Sequence, residues 1–267
     1  MPLRLDQNYR ERLAAANRPQ VGMWVCSGSP LVAEICAGSG LDWLLIDAEH
    51  GPNGLESILA QLQAVAAYPI TPVVRVPSDD ATVIKQVLDL GAQNLLVPMV
   101  SSADQAQAVV AAVHYPPRGR RGVGSALSRS ARWNRVEDYL GTAADHVSLT
   151  VQVETATAVA AAADIAAVDG VDAVFIGPSD LAASLGLLGQ QTHPEVVAAV
   201  ESALAAVRSV GKPVGVNAFD PQAAQDYLDA GADFVLVGAD VALLARGSEA
   251  FAARWIPAAD PGERASY

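Results

Sequence analysis

Eight short runs of apolar, mostly β-branched residues recur along the chain. They lie at 21–25 (VGMWV), 43–47 (WLLID), 73–76 (VVRV), 94–98 (NLLVP), 149–153 (LTVQV), 172–176 (DAVFI), 213–216 (PVGV) and 233–237 (DFVLV). Each is nearly continuous in apolar character rather than alternating, the pattern of parallel strands covered on both faces. The segments between them carry a helical period. In 55–66, Leu55, Ile58, Leu59, Leu62, Val65 and Ala66 share one face, and Asn53 with Glu56 reads as the N-cap pair of that helix. Residues 103–113, 196–209 and 221–230 read as further helices, and Gly91 and Gly211 fall where helices should end. The opening segment, MPLRLDQNYRERLAAANRP, reads as a short amphipathic helix.

Strands and helices in eightfold alternation predict a (β/α)8 TIM barrel, with residues 1–267 as one domain. The competing architecture is an open doubly wound sheet. It is disfavoured because no GxGxxG follows the first strand and no linker or low-complexity segment divides the chain. One connection is unusually long. After the helix at 103–113 comes YPPRGRRGVGSALSRSARWNR (115–135). Loops of that length in a compact domain are often functional, so it is expected to serve the active site.

Charge narrows the partners. The 267 residues carry a net charge of −12, which disfavours nucleic acid and anionic membranes. The one local basic run is Arg118-Gly119-Arg120-Arg121. No apolar run reaches the roughly 20 residues that span a bilayer. The charged N-terminal segment has no apolar core of a signal peptide. Cys26 and Cys36 match no metal or disulfide spacing and read as buried thiols. A cytoplasmic location is expected.

The candidate chemistry gathers where strands end. In a parallel barrel the catalytic face lies at the C-terminal ends of the strands. The second run passes from LLI directly into Asp47, Glu49 and His50. Equivalent positions hold Arg75 on the third strand, Gln152 and Glu154 on the fifth, and Ser179 and Asp180 just past the sixth. Neighbouring strands lie about 4.8 Å apart, so Glu154 and Asp180 can share one ion. Two carboxylates without clustered His or Cys favour a hard divalent cation such as Mg2+, with Mn2+ or Co2+ as substitutes. The alternative is that each carboxylate caps the helix that follows. His50 can act as a general base or simply bond to backbone. Arg75 can bind a substrate oxyanion or pair with Glu49 or Asp47. His114, His146 and His193 lie away from strand ends and read as ordinary loop or surface groups. Neither lysine is placed for Schiff-base chemistry: Lys85 is in a helix, and Lys212 precedes the seventh strand. Asp220 and Asp240 occupy the usual barrel phosphate site and disfavour a phosphorylated ligand.

The strings DWLLIDAEHGPN, PVVRV, LLVPMV, RGVGSALSRSARWNR, VQVET and FIGPSDLAASLG resemble the HpcH/HpaI aldolase family, over about residues 18–250. The resemblance implies a class II pyruvate aldolase on a (β/α)8 barrel that depends on a divalent metal, Mg2+, Mn2+ or Co2+. It implies reversible retro-aldol cleavage of 4-hydroxy-2-oxoheptane-1,7-dioate to pyruvate and succinate semialdehyde, with pyruvate and an aldehyde as partners. By this resemblance His50 is the catalytic base, Asp89 the acid that partners it, and Arg75 the transition-state stabiliser. Glu154 and Asp180 are the metal ligands, and Gln152, Ser179 and Asp180 contact pyruvate. Ser179 stands where relatives can have alanine, and its contact is expected through backbone N–H. Relatives form hexamers, as trimers of dimers that exchange a C-terminal helix. The segment ALLARGSEAFAARWI suits that exchange and equally suits a barrel's own last helix.

Three other functions compete with this one. The first is cleavage of 2-keto-3-deoxy-glucarate or -rhamnonate. The second is a CoA-ester lyase of the same superfamily, for which no nucleotide-phosphate site is evident. The third is a non-catalytic binding protein on an aldolase scaffold, against which the retained His50, Arg75, Glu154 and Asp180 argue. Arg118, Arg120 and Arg121 would hold a distal carboxylate or brace the long loop.

Overall fold

The structure, a computed structural model, describes Leu3 and residues 5–256. Eight strands close a barrel in which every pair is parallel: β1 (Gln20–Val25), β2 (Trp43–Asp47), β3 (Thr71–Arg75), β4 (Asn94–Val97), β5 (Ser148–Val153), β6 (Ala173–Ile176), β7 (Val214–Asn217) and β8 (Phe234–Ala239). All eight predicted strands are present, with ends displaced by at most two residues. The helices are α1 (Tyr9–Ala15), α2 (Pro30–Ala37), α3 (Leu55–Ala64), α4 (Ala81–Asp89), α5 (Ala103–Val113), α6 (Tyr139–Thr142), α7 (Ala156–Ala160), α8 (Ala162–Ala167), α9 (Pro178–Ser184), α10 (Pro194–Ser209), α11 (Pro221–Asp229) and α12 (Asp240–Trp255). None of them is long and apolar enough to cross a membrane.

Alternation along each strand builds two cores. Outward residues such as Ile46, Val74, Val151 and Val174 meet the helices in the larger one. Inward residues fill the barrel, where Trp43, Phe175 and Phe234 stack edge-to-face or in parallel, with centroids 5.8–6.3 Å apart. Tyr9 of α1 closes the N-terminal end against Trp43 and Phe234. The bulk is accommodated because β1 and β7 present glycine: a Cβ on Gly22 would stand 2.4 Å from the Trp43 ring, and one on Gly215 would stand 2.2 Å from Phe234. The inward face is thus apolar at one end and becomes polar at the other, through Asp47, Arg75, Gln152 and Asn217.

Three expectations need correction. The N-cap of α3 is Gly54, whose N–H is received by Ser57 Oγ, and Asn53 instead donates to the Asp47 carbonyl and accepts from Gln61. The tertiary demand at the end of β2 outweighs the local capping preference. The 115–135 loop is not at the active-site face of its own chain. It leaves the end of α5 and leads to β5, so it lies at the N-terminal end of the barrel. There Ser130 donates to Asp89 O and Arg129 to Leu90 O. Its basic run braces this arrangement: Arg118 pairs with Asp169 and Arg121 with Asp89. Finally, α12 is not a covering helix for its own barrel. Asp240 is its one buried residue, while Leu243, Leu244, Phe251 and Trp255 are exposed.

His114 ends α5 and is buried beside this loop. Burial first, and then the nearby Arg118, push its imidazole down to about 4. The native state therefore holds a neutral ring where the unfolded chain takes up a proton near pH 6.5. Its contribution is intact above pH 6.5 and is lost as pH falls through 4. Urea unfolding at several pH values should show the stability margin of wild type over His114→Gln narrowing across that window. A margin independent of pH would contradict it.

Candidate active site

The end of β2 organises the catalytic face. Asp47, the last residue of β2, sits in register beside Arg75, the last of β3. Both are almost fully buried, and they meet in a two-pronged ion pair: Nε to Oδ1 and Nη2 to Oδ2, each 2.8 Å. Glu49 adds a second acid, its Oε2 2.8 Å from Arg75 Nη1 but out of line for a hydrogen bond. The Arg75 guanidinium also lies 4.2 Å from the centre of the Trp24 ring, and Trp24 in turn donates to Asn217 Oδ1. Arg75 thus takes both acids that the sequence offered it. Burial pushes the Asp47 carboxyl upward, but the hydrogen bonds and charge of Arg75, with the N–H groups of Glu49 and His50, hold it below the usual range. Glu49 shifts upward, chiefly by burial, against the pull of Arg75 and His50.

Glu154 follows β5 and is buried. One oxygen accepts from the Met99 N–H at 2.7 Å and the other from Gln152 Nε2. Burial, with repulsion from Asp180 and Glu49, outweighs those bonds and raises its carboxyl to about 7. Gly177 makes room for it, since a Cβ there would stand 2.8 Å from Glu154 Oε2. Asp180 is exposed on the first turn of α9 and makes no capping bond. Nor does Glu154 cap a helix, because Thr155 caps α7. The capping alternative therefore fails for both. By contrast Asp220 caps α11, and Asp240 receives the N–H groups of Cys26 and Ser27.

Among the described residues, no three His, Cys, Asp or Glu cluster to hold a metal by themselves. The two carboxylates nonetheless fit a hard divalent cation. Such an ion keeps water or substrate oxygens in its shell, and its charge would relieve the crowding that raises Glu154. The buried Gln152 Oε1, which has no partner, adds an acceptor next to Glu154.

His50 is exposed, with Nε2 4.0 Å from Glu49 Oε2. Ser179 is exposed on α9, where its Oγ accepts from Gln191. Asp89 is the exception among the predicted residues. It ends α4 at the N-terminal end of the barrel and pairs with Arg121 at 2.7 Å, so it does not meet His50 within one chain. The reason is topological: helices run back against the strands, and the end of α4 lies opposite the end of β2. His146 and His193 take local roles, as does Lys212, which donates to Val171 O. Sequence reasoning missed Trp24 and the Met99 N–H. An aromatic residue inside the first strand was the only available sign of the former.

Residues 20–247 match the HpcH/HpaI aldolase/citrate lyase family. The chain belongs to that family. It is 53% identical over 240 residues to the 4-hydroxy-2-oxo-heptane-1,7-dioate aldolase of Salmonella dublin, covering 90% of this chain and 91% of the relative. The crystal structure of an HpcH/HpaI aldolase/citrate lyase family protein from Burkholderia cenocepacia J2315 superposes with a TM-score of 0.89 at 40% identity, over 93% of this chain and 99% of that one. That of an HpcH/HpaI aldolase from Desulfitobacterium hafniense DCB-2 gives 0.83 at 29% identity, over 96% and 100%. HpcH/HpaI proteins are class II aldolases, for which a divalent metal is typical.

The Asp47 pairing has a measurable weight. Asp47→Asn leaves a buried guanidinium with Glu49 as its one charged partner. It should cost roughly 3 kcal/mol in urea unfolding. A loss below about 1 kcal/mol would mean that Glu49 suffices.

Proposed function

We propose that the chain is a metal-dependent pyruvate aldolase that cleaves 4-hydroxy-2-oxoheptane-1,7-dioate to pyruvate and succinate semialdehyde, and joins pyruvate to aldehydes in reverse. The observation that carries this is the placement of one fixed buried cation, Arg75, at the same barrel end as the crowded acids Glu154 and Asp180. The relatives at 53% identity supply the substrate.

Glu154 and Asp180 would hold the divalent ion, Mg2+, Mn2+ or Co2+, which supplies Lewis-acid polarisation of the substrate's C2 carbonyl. The substrate carboxylate lies against the N–H groups of Ser179 and Asp180, in the first turn of α9, which has no side-chain cap. Gln152 orients Glu154 and reaches the same oxygens. His50 takes the C4 hydroxyl proton as the C3–C4 bond breaks. Negative charge then grows on the C2 oxygen. Arg75 gives two of its five N–H groups to Asp47, which leaves others to donate to that oxygen. A pairing of His50 with Asp89 is made between subunits, because within a chain they occupy opposite ends of the barrel. A hexamer with exchanged C-terminal helices agrees with the bare apolar side of α12. The protein acts in the cytoplasm.

Pyruvate release coupled to lactate dehydrogenase tests the activity and, by comparing 4-hydroxy-2-oxo acids, the aldehyde half. Chelation with EDTA should abolish release, and Mg2+, Mn2+ or Co2+ should restore it; full turnover by the chelated protein would end the metal-dependent assignment. Arg75→Ala should lower kcat by roughly 100-fold or more, as for loss of one oxyanion donor. Near-normal kcat would remove Arg75 from the chemistry.

A further inference from the structure

The N-terminal end of the barrel holds a cavity of about 330 Å3 that the aldolase chemistry does not use. Three arginines line it: Arg12 from α1, and Arg129 and Arg132 from the long loop. Among the described residues none of the three forms an ion pair, in a protein whose net charge is −12. Asp6 is the one acid on the cavity wall. Arg12 Nε is buried without a hydrogen-bond partner. Arg129 and Arg132 each give one N–H to a backbone carbonyl, of Leu90 and of Arg129 itself.

The two loop arginines converge on Gly91, at the end of α4. A Cβ on Gly91 would stand 2.8 Å from Arg129 Nη1 and 2.9 Å from Arg132 Nη1. The backbone there favours glycine, since φ is +92°. The result is two guanidinium groups side by side, with Asp6 acting on Arg132 and no acid in an ion pair with either among the described residues. Burial and the charge of Arg132 both push Arg129 downward. The three arginines are half-buried, and a planar guanidinium fork matches phosphate and carboxylate oxygens.

We propose that this cavity is an oxyanion site that takes a small, doubly charged anion, a phosphate or a dicarboxylate, at the end of the barrel opposite Arg75 and Glu154. A bound anion would tie α1, the end of α4 and the 129–132 turn into one unit.

The test is thermal unfolding of the full chain in inorganic phosphate and, separately, in succinate, each against chloride at matched ionic strength. At about a hundred times its dissociation constant, the preferred anion should raise Tm by roughly 5 °C. Which of the two does so tells phosphate from dicarboxylate. The rise should persist in Arg75→Ala and vanish in both Arg12→Gln and Arg129→Gln. Among the described residues Arg12 makes no hydrogen bond through its side chain, so Arg12→Gln removes charge without removing a structural bond. No rise with either anion would overturn the proposal. So would a rise that survives in either cavity variant, which marks a general salt effect, or one that disappears in Arg75→Ala, which places the anion at the catalytic end.

Discussion

The catalytic end of this barrel is organised around one buried cation. Arg75 carries a full charge on the last position of an otherwise apolar strand, and the fold tolerates it because Asp47 meets it on the neighbouring strand in exact register terms set by the parallel ladder. Removing such a charge from water is costly, and only a well-aligned partner offsets that cost. Asp47 has further duties. It accepts the N–H groups of Glu49 and His50, and its own carbonyl receives Asn53. The turn that carries the candidate base is therefore shaped by the same carboxylate that neutralises the candidate oxyanion donor.

Across the opening the balance is reversed. Glu154 has hydrogen bonds but no cation, and Asp180 and Glu49 press upon it. The two halves are thus electrostatically unlike: one balanced in charge, the other short of positive charge. This asymmetry is what the proposed placement of an ion beside a preorganised donor rests on.

Much of this was legible from residue order. The strands stood out because both their faces are buried, which makes each run apolar without alternation. Arg75, Glu154 and Asp180 stood out because polar residues at strand ends have one place to go in a barrel. What failed to show was whatever depends on contacts between distant segments. Glu56 and Asn53 look like a cap until Asp47 claims Asn53. Asp89 is one acid among many on helix ends. The long loop's side of its own barrel follows from its position after a helix and before a strand. Trp24 and the Met99 N–H carry no local mark of their roles.

Met99 holds a left-handed backbone, φ +58°, that a non-glycine residue adopts only when held there. Its N–H is fixed by the Glu154 carboxylate. The Glu154 carboxylate and the main-chain shape are therefore coupled at the mouth of the barrel. Truncating Glu154 would remove its charge and, with it, the acceptor that holds the Met99 N–H, whereas Glu154→Gln removes the charge and keeps an amide oxygen able to accept that N–H.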